Sequence, residues 1–238
     1  MSEYDKKENK SEDVVEALLK ISEAITSDLY LDDILKLIVT ITAEVMGSKI
    51  CSLMLVDPQK QELIIKATQS ISKEYINKNP LKIGEGIAGR VVLEKKPVAV
   101  ENIIESEHYK FKDIAVKEGL VSMLAVPLHV KGKIIGVLNI YTSSLHKFSN
   151  YEINFLTTIA DQAAIVIENY RLVVESQVIK EELETRKAVE KAKGIIMKEF
   201  SVSEDEAFKK IQKFAMNNRK TMREVSEAIV LSSEMKKI

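Results

Sequence analysis

The sequence is poor in cysteine, with Cys51 as its single thiol among 238 residues. One thiol cannot form an internal disulfide or a two-cysteine metal site, and no second thiol is present to resolve an oxidised intermediate. Because Cys51 lies in an apolar run, we expect a buried and unreactive side chain. The histidines at 108, 129 and 146 are dispersed and have no cysteine companion, so we expect no metal site.

Long apolar runs are also absent. No stretch approaches the roughly 18 consecutive apolar residues of a membrane-spanning helix, and the charged, polar amino terminus is unlike a signal peptide. These features predict a cytoplasmic protein with no membrane partner.

Neither sign of charge dominates, with 35 Lys plus Arg against 36 Asp plus Glu. The net charge of -1 therefore gives no overall electrostatic case for nucleic acid binding. From Lys180 to Ile238, however, there are 14 basic against 11 acidic residues, so a modest basic surplus lies at the carboxyl end.

The chain is long enough for two small domains. Residues 1–11 are polar and predict a flexible tail. Apolar residues at helical spacing then predict two amphipathic helices, from Val14 to Ile25 and from Leu31 to Val45. Gly47 is a suitable C-cap for the second of them.

The middle of the chain is rich in predicted strands. Ile50–Val56 and Glu62–Thr68 flank an Asp-Pro turn and predict a hairpin. Val121–His129 and Ile134–Tyr141 flank a Lys-Gly-Lys turn and predict a second hairpin.

The segment between the hairpins is less regular. Residues 84–90 read GEGIAGR, and we interpret its glycines as a tight turn. A phosphate-binding loop would require a strand-turn-helix unit that this segment does not precede. Residues 100–120 are polar and mixed, and they predict a lid over one sheet face with a short helix near Asp113–Glu118.

A long helix is predicted next. Ser149 and Glu152 fit a capping box, and no Gly or Pro occurs from Tyr151 to Lys193. The helix therefore runs on without a break near residue 175. Its apolar residues alternate by four and three, as in a coiled coil. We expect a connecting coiled-coil helix over residues 150–190 and a homodimer whose seam contains Leu156, Ala163, Ile167, Tyr170 and Val174.

The end of the chain predicts a small bundle of three helices. Helical spacing marks segments around Val189–Ile196, Ala207–Ala215 and Met222–Val230. Capping boxes at Ser203/Glu206 and Thr221/Glu224 begin the last two helices. At this size the bundle needs support from the long helix. We also expect three aromatic side chains to belong to its core, which would leave no stacking platform for bases, namely Phe200, Phe208 and Phe214.

Residues 12–172 resemble a GAF domain, which is a small-molecule-sensing or dimerising module. The residues that carry the resemblance are Gly84–Arg90, Val126-Pro127-Leu128, Gly136-Val137-Leu138, and Phe148 ahead of Ala160 and Ala163. The resemblance implies a pocket between the sheet and the lid. Its candidate effector-lining residues are His108, Tyr109, Phe111 and Met123. The effector is unspecified, and no cofactor is expected.

Residues 180–238 resemble an ANTAR domain, the RNA-binding module of bacterial transcription antiterminators. The telling residues are Arg186, Ala192–Met197, Glu206-Ala207-Phe208, Met216, Asn218-Arg219-Lys220, Arg223 and Val225, whereas Ala215 and Ser226 depart from the family pattern. The implied fold class is α+β: a GAF-like antiparallel sheet domain with flanking helices, a long coiled-coil linker helix and a C-terminal three-helix bundle.

Five residues of this second segment are candidates for RNA binding: Arg186, Lys193, Gly194, Arg219 and Lys220. Arg186 and Lys193 are two helical turns apart and so share a face. Gly194 costs a helix interior about 1 kcal/mol relative to Ala, which indicates close approach of another helix or of a ligand. Arg219 and Lys220 precede a helix cap, where side chains can reach outward.

The leading hypothesis is a signal-responsive RNA-binding regulator that promotes transcription antitermination by binding hairpins in nascent mRNA, with the GAF-like part as a dimeric sensor. An alternative is a dimeric small-molecule-binding module whose C-terminal bundle binds a protein partner. We do not expect an enzyme: GAF-fold methionine sulfoxide reductases use several cysteines, and the sequence has neither a Ser-His-Asp order nor a Walker-type loop.

Overall fold

The computed structural model describes residues 15–16, 19–23 and 29–235. The chain divides into two compact units, Met1–Tyr170 and Arg171–Ile238. The expected tail at residues 1–11 lies outside the described residues, as do Val14 and Ile25 of the first predicted helix. Residues 15–16 and 19–23 of that helix are helical.

The strand-rich middle of the chain forms one antiparallel sheet within the first unit. Its strands are Ile50–Asp57 (β1), Glu62–Thr68 (β2), Leu81–Lys82 (β3), Val98–Val100 (β4), Ser122–Val130 (β5) and Lys133–Thr142 (β6). They are ordered β3-β2-β1-β6-β5-β4. Both predicted hairpins are confirmed, as β1–β2 and β5–β6. The short strands β3 and β4 were not predicted, because two or three residues are too few for a period to show.

Besides the helical residues 15–16 and 19–23, five helices of the described ranges contribute to this unit, and they lie on both sheet faces. Their bounds are Leu31–Val45 (α1), Lys73–Ile76 (α2), Gly86–Glu94 (α3), Lys112–Glu118 (α4) and Asn150–Phe200 (α5), of which the last continues into the second unit. Apolar residues of α1 and α5 pack on one face. Residues of α2, α3 and α4 pack on the other. The helix predicted inside the lid is α4.

Side chains of the central strands alternate between these two faces, as in any β-strand. In β6, Leu138 and Ile140 belong to the cluster beneath α1 and α5. Val137 and Tyr141 belong to the cluster beneath α2, α3 and α4. The sheet therefore separates two apolar cores, and the second core contains the candidate effector pocket.

The glycine-rich segment is a turn followed at once by a helix, so the tight-turn interpretation holds for its first part only. Gly84 and Gly86 have φ of 86° and 64°, a region that favours glycine. Gly89 lies inside α3, where an added Cβ would be 2.5 Å from the carbonyl oxygen of Lys82. Its role is close packing of helix against strand.

The second unit consists of the carboxyl end of α5 with Glu204–Asn217 (α6) and Met222–Met235 (α7). The unbroken helix past residue 175 is confirmed, since α5 has 51 residues. Reciprocal hydrogen bonds form all three predicted capping boxes, at Ser149/Glu152, Ser203/Glu206 and Thr221/Glu224. The small core contains Ala192, Ile211, Ala215 and Val225.

The expected core position of three phenylalanines is wrong. Phe200, Phe208 and Phe214 are 57%, 40% and 59% exposed. The buried residues of α6 are Ala207, Ile211 and Ala215, at a spacing of four. That stripe faces the other helices, so positions 208 and 214 fall beside it and point outward.

Among the residues that the structure describes, no helix combines the length and the apolar character needed to cross a bilayer.

Candidate functional site

Three of the basic residues predicted to bind RNA are exposed, namely Arg186, Arg219 and Lys220. Arg219 and Lys220 lie in the turn between α6 and α7. The backbone of Arg219 is left-handed, with φ of 52°, and its N–H donates to the carbonyl of Met216. The ammonium of Lys220 lies 3.1 Å from Glu224. Arg186 and Arg219 therefore present guanidinium groups to solvent, and Lys220 presents a singly paired cation.

Lys193 does not share this exposure. It is 8% exposed, and its ammonium lies 2.7 Å from Glu190 and 2.6 Å from Glu204. These hydrogen bonds raise the pKa of Lys193 and lower that of Glu204. Arg186 and Lys193 therefore do not form an exposed basic surface together, because the Lys193 ammonium pairs with Glu204 of α6. Its contact with RNA stays a prediction, and it requires one of these ion pairs to open.

Gly194 adjoins Lys193 but faces open space. A Cβ added to Gly194 would have no neighbour within 4 Å in the described chain. Packing of another helix of this chain therefore does not explain the glycine. The remaining explanation for a glycine at this position is the close approach of a bound ligand.

An apolar groove of about 710 Å³ also lies within the second unit. Phe200 and Phe214 contribute exposed rings to it, and the ammonium of Lys210 lies 5.4 Å from the Phe200 ring centroid. Lys220 lies on its rim. Sequence reasoning missed this groove because it assigned the rings to the core.

The candidate effector pocket of the first unit is a small cavity on the α2–α4 side of the sheet. Tyr109, Phe111 and Met123 line it as predicted, whereas His108 is exposed and is not among its lining residues. Its open volume is about 10 Å³. A space of that size holds about one water molecule.

Sequence reasoning missed several residues around this cavity, above all Lys78 and Tyr141, which line it. The Tyr141 ring makes edge-to-face contacts with Tyr75 and Tyr109, at centroid distances of 5.9 and 6.4 Å. Burial raises the pKa of all three tyrosines. Ser52 and Tyr75 share a hydrogen bond of 2.9 Å between their hydroxyls. Alternation along β6 places Tyr141 on this face, but the sequence gives no sign that Lys78 would reach it.

The predicted dimer seam divides into two groups. Leu156, Ala163 and Ile167 are buried in the core of their own unit, against residues such as Leu138. They are therefore not available to a second protomer in this conformation, because α5 uses that face to cover the sheet. Tyr170 and Val174 are exposed, and their place in a dimer seam stays a prediction.

Cys51 is buried, and burial raises the pKa of its thiol, which agrees with the expected unreactive side chain. In the described ranges, no three His, Cys, Asp or Glu side chains form a group suited to a metal ion.

Family comparison accounts for both units. Residues 29–168 match the model of the GAF domain, and residues 177–230 match that of the ANTAR domain. The chain belongs to the GAF domain family and carries an ANTAR domain after its GAF domain.

Individual relatives agree with this division. The chain is 30% identical over 164 residues to the methyl sulfide methyltransferase-associated sensor of Methanosarcina acetivorans, covering 67% of this chain and 16% of that protein. It is 45% identical over 56 residues to the transcriptional regulatory protein PdtaR of Mycobacterium tuberculosis, covering 24% of this chain and 27% of that protein. The chain thus spans about a quarter or less of the length of these relatives.

A solved structure shows the same fold for the first unit. The GAF domain from a phosphoenolpyruvate-protein phosphotransferase of Coxiella burnetii superposes with a TM-score of 0.63 at 26% identity, covering 68% of this chain and 97% of that one. Together, the comparisons support a regulator of the ANTAR type with a GAF sensor.

Proposed function

We propose that this protein is a cytoplasmic, signal-responsive regulator that binds hairpins in nascent mRNA through its ANTAR domain and thereby promotes transcription antitermination. The single observation that carries the proposal is the ANTAR match over residues 177–230. The relative described as a transcriptional regulatory protein supports a regulatory role over an enzymatic one. The GAF domain is the sensor of this arrangement.

The chemistry of the second unit suits an RNA loop. RNA loops offer phosphates and unstacked bases, which guanidinium groups and open backbone can approach. Arg186 and Arg219 supply exposed guanidinium groups. Gly194 supplies a helix surface without a side chain and with open space in front of it.

The regulator is proposed to act as a homodimer through the exposed part of α5. Tyr170 and Val174 remain apolar and exposed, and at four residues apart they share one face of the helix. Four residues is one of the two spacings between successive core positions in a coiled coil. Two protomers would then present two ANTAR domains to two hairpins.

Self-association is tested by light scattering after size-exclusion chromatography. Tyr170→Glu combined with Val174→Glu is expected to shift the mass from dimer to monomer, because charges would be buried in the seam. Ser176→Glu, an exposed position on the opposite side of the same helix, is the matched control and retains the dimer. A monomeric wild type, or a dimer in the double variant, would contradict this seam.

RNA binding is tested with a labelled two-hairpin RNA and a scrambled control across a series of salt concentrations. The wild type is expected to prefer the hairpin RNA. Arg186→Gln and Arg219→Gly should weaken that binding and make it less dependent on salt, because fewer phosphates are neutralised. Lys213→Gln removes an exposed lysine outside the predicted set and is expected to change little. Equal, weak binding of both RNAs by the wild type would overturn the RNA proposal.

A second candidate function is recognition of a protein partner by the same unit. The apolar groove with its exposed Phe200 and Phe214 favours it, because exposed apolar patches mark interaction sites. Phe200→Ser with Phe214→Ser separates the two functions. A protein contact in the groove would be lost in this variant, whereas RNA held by Arg186 and Arg219 would still bind.

A further inference from the structure

A cation lies among aromatic rings in the GAF domain. The ammonium of Lys78 is 4.1 Å from the ring centroid of Tyr75, 5.4 Å from that of Phe111 and 5.9 Å from that of Tyr141. It takes part in none of the ion pairs formed by the described residues, although nearby Lys110 is paired with Glu85 at 2.7 Å. Burial lowers the pKa of Lys78 to about 7, and no carboxylate in the described part of the chain offsets that effect.

Rings alone compensate such a cation only in part. Contact of an ammonium with aromatic faces is favourable but weak. A counter-ion or hydrogen-bond acceptor is the ordinary requirement for a charge removed from water. The Lys78 ammonium can therefore pair with an anion, and the described chain does not supply one.

A second, independent feature lies on the same side of the sheet. Asn139 is fully buried, and neither its side-chain oxygen nor its side-chain nitrogen has a hydrogen-bond partner among the residues that the structure describes. In β6 it lies between Val137 and Tyr141 and shares their sheet face, which is that of the core beneath α2, α3 and α4. It stands opposite Ser52 of β1, whose hydroxyl is bonded to Tyr75. Buried amides without partners are rare and call for an explanation.

We propose that the effector of the GAF domain is a small organic carboxylate that carries a second polar group, with its carboxylate paired to Lys78 and its polar group hydrogen-bonded to Asn139. The inference rests on the sensor role in the proposed function and names the chemical class of the effector. The aromatic and aliphatic walls, which include Phe111 and Met123, favour an organic anion over an inorganic one.

The closed state of the cavity connects binding to signalling. The space of about 10 Å³ is too small for a carboxylate of this kind. Binding therefore requires the segments that carry Lys78 and Phe111 to move away from the sheet, which opens the cavity. A ligand shifts a conformational equilibrium only when it prefers one state, and this one would prefer the opened state.

The test uses the full chain without RNA and measures thermal unfolding by fluorescence. The probes are acetate, lactate and 4-hydroxybenzoate, each compared with its neutral amide at equal ionic strength. We expect lactate or 4-hydroxybenzoate to raise the midpoint by about 5 °C or more at a large excess over Kd. Acetate should act less strongly because it lacks the second polar group, and the amides should have no effect.

Three variants assign the response to the proposed residues. Lys78→Met should abolish it, and Lys78→Gln repeats that test with a different side chain. Lys73→Met is the matched control, since Lys73 is an exposed lysine of the neighbouring helix α2, and it should respond like the wild type. Asn139→Leu should remove the advantage of the hydroxy acids over acetate while raising the stability of the free protein, because an unpartnered amide is lost.

Either of two results overturns the proposal: no carboxylate stabilises the protein more than its amide, or the stabilisation survives in both Lys78 variants. Because RNA is absent from this experiment, failure here is distinct from failure of the proposed RNA binding. A protein that binds hairpin RNA but ignores these carboxylates would keep the regulator proposal and lose the effector class.

Discussion

The ammonium of Lys193 lies 2.6 Å from a carboxylate oxygen of Glu204 and so joins α5 to α6 within the ANTAR domain. The same ammonium also contacts Glu190 on its own helix. A lysine that sequence reasoning places in an RNA interface is thus part of the internal structure of the bundle.

This pair predicts a specific dependence of stability on pH. Because Lys193 lowers the pKa of Glu204, the pair stabilises the fold above the ordinary glutamate pKa of about 4.3. That contribution is lost as pH falls through the lowered pKa. The raised pKa of Lys193 acts at the other end: its contribution is present below the ordinary lysine pKa and is lost as pH rises through the raised one.

Urea unfolding of the wild type and of Glu204→Gln measures this effect. The wild type is expected to be more stable at pH 7, and the difference should vanish in strong acid. Glu182→Gln, an exposed carboxylate of α5, controls for the loss of one negative charge. A difference that stays constant throughout the acid range would show that the pair does not couple to protonation.

Gly194→Ala is expected to change stability and RNA affinity in opposite directions. The residue lies inside α5, and the added methyl meets nothing within 4 Å. Stability should therefore rise by about 1 kcal/mol, the ordinary helix preference for Ala over Gly. RNA affinity should fall if the open backbone is the surface that the RNA approaches. Chemical denaturation and a binding titration on the same protein check both. Ala188→Gly, the reverse change in the same helix, should lower stability and spare RNA binding.

At the α6–α7 turn, substitutions of Arg219 likewise separate effects on stability from effects on RNA affinity. Its left-handed backbone, with φ of 52°, costs a non-glycine residue about 1 kcal/mol. Arg219→Gly should therefore stabilise the domain while weakening RNA binding, whereas Arg219→Ala should weaken RNA binding to the same extent without the gain in stability. Unchanged RNA affinity in both variants would remove Arg219 from the proposed interface.

Helices and strands are predicted well from the sequence where apolar residues recur at a regular spacing over several helical turns or a full strand. The hairpins, the unbroken helix past residue 175 and the three capping boxes follow from such local patterns. Lys193 was misplaced because its spacing from Arg186 predicts only that the two side chains share a helix face. The spacing does not predict which other helix packs against that face. Lys78 was missed for a related reason: it stands in a polar loop, and only the folded chain brings its ammonium near the rings of Phe111 and Tyr141.

Two serines near the start of α6 should respond oppositely to substitution. Ser203 caps the helix by accepting a hydrogen bond from the N–H of Glu206, so Ser203→Ala is expected to destabilise the domain by about 1 kcal/mol. Ser201 has a φ of 51°, so Ser201→Gly should stabilise it. Urea unfolding of both variants provides the measurement. The same sign in both would contradict the assigned roles.

Ile211 and Phe214 test the revised core of the second unit. Ile211 is 1% exposed within the small cluster that also contains Ala192 and Val225. Ile211→Ala should therefore cost about 2 to 5 kcal/mol, because it leaves a cavity among three helices. Phe214 lies three residues further along the same helix but is mostly exposed, so Phe214→Ala should cost less than about 1 kcal/mol. Equilibrium unfolding followed by circular dichroism distinguishes them. A larger loss for Phe214→Ala than for Ile211→Ala would mean that the ring is buried in solution, either in the core or against a second protomer, and a dependence of that loss on protein concentration would identify the second protomer as its partner.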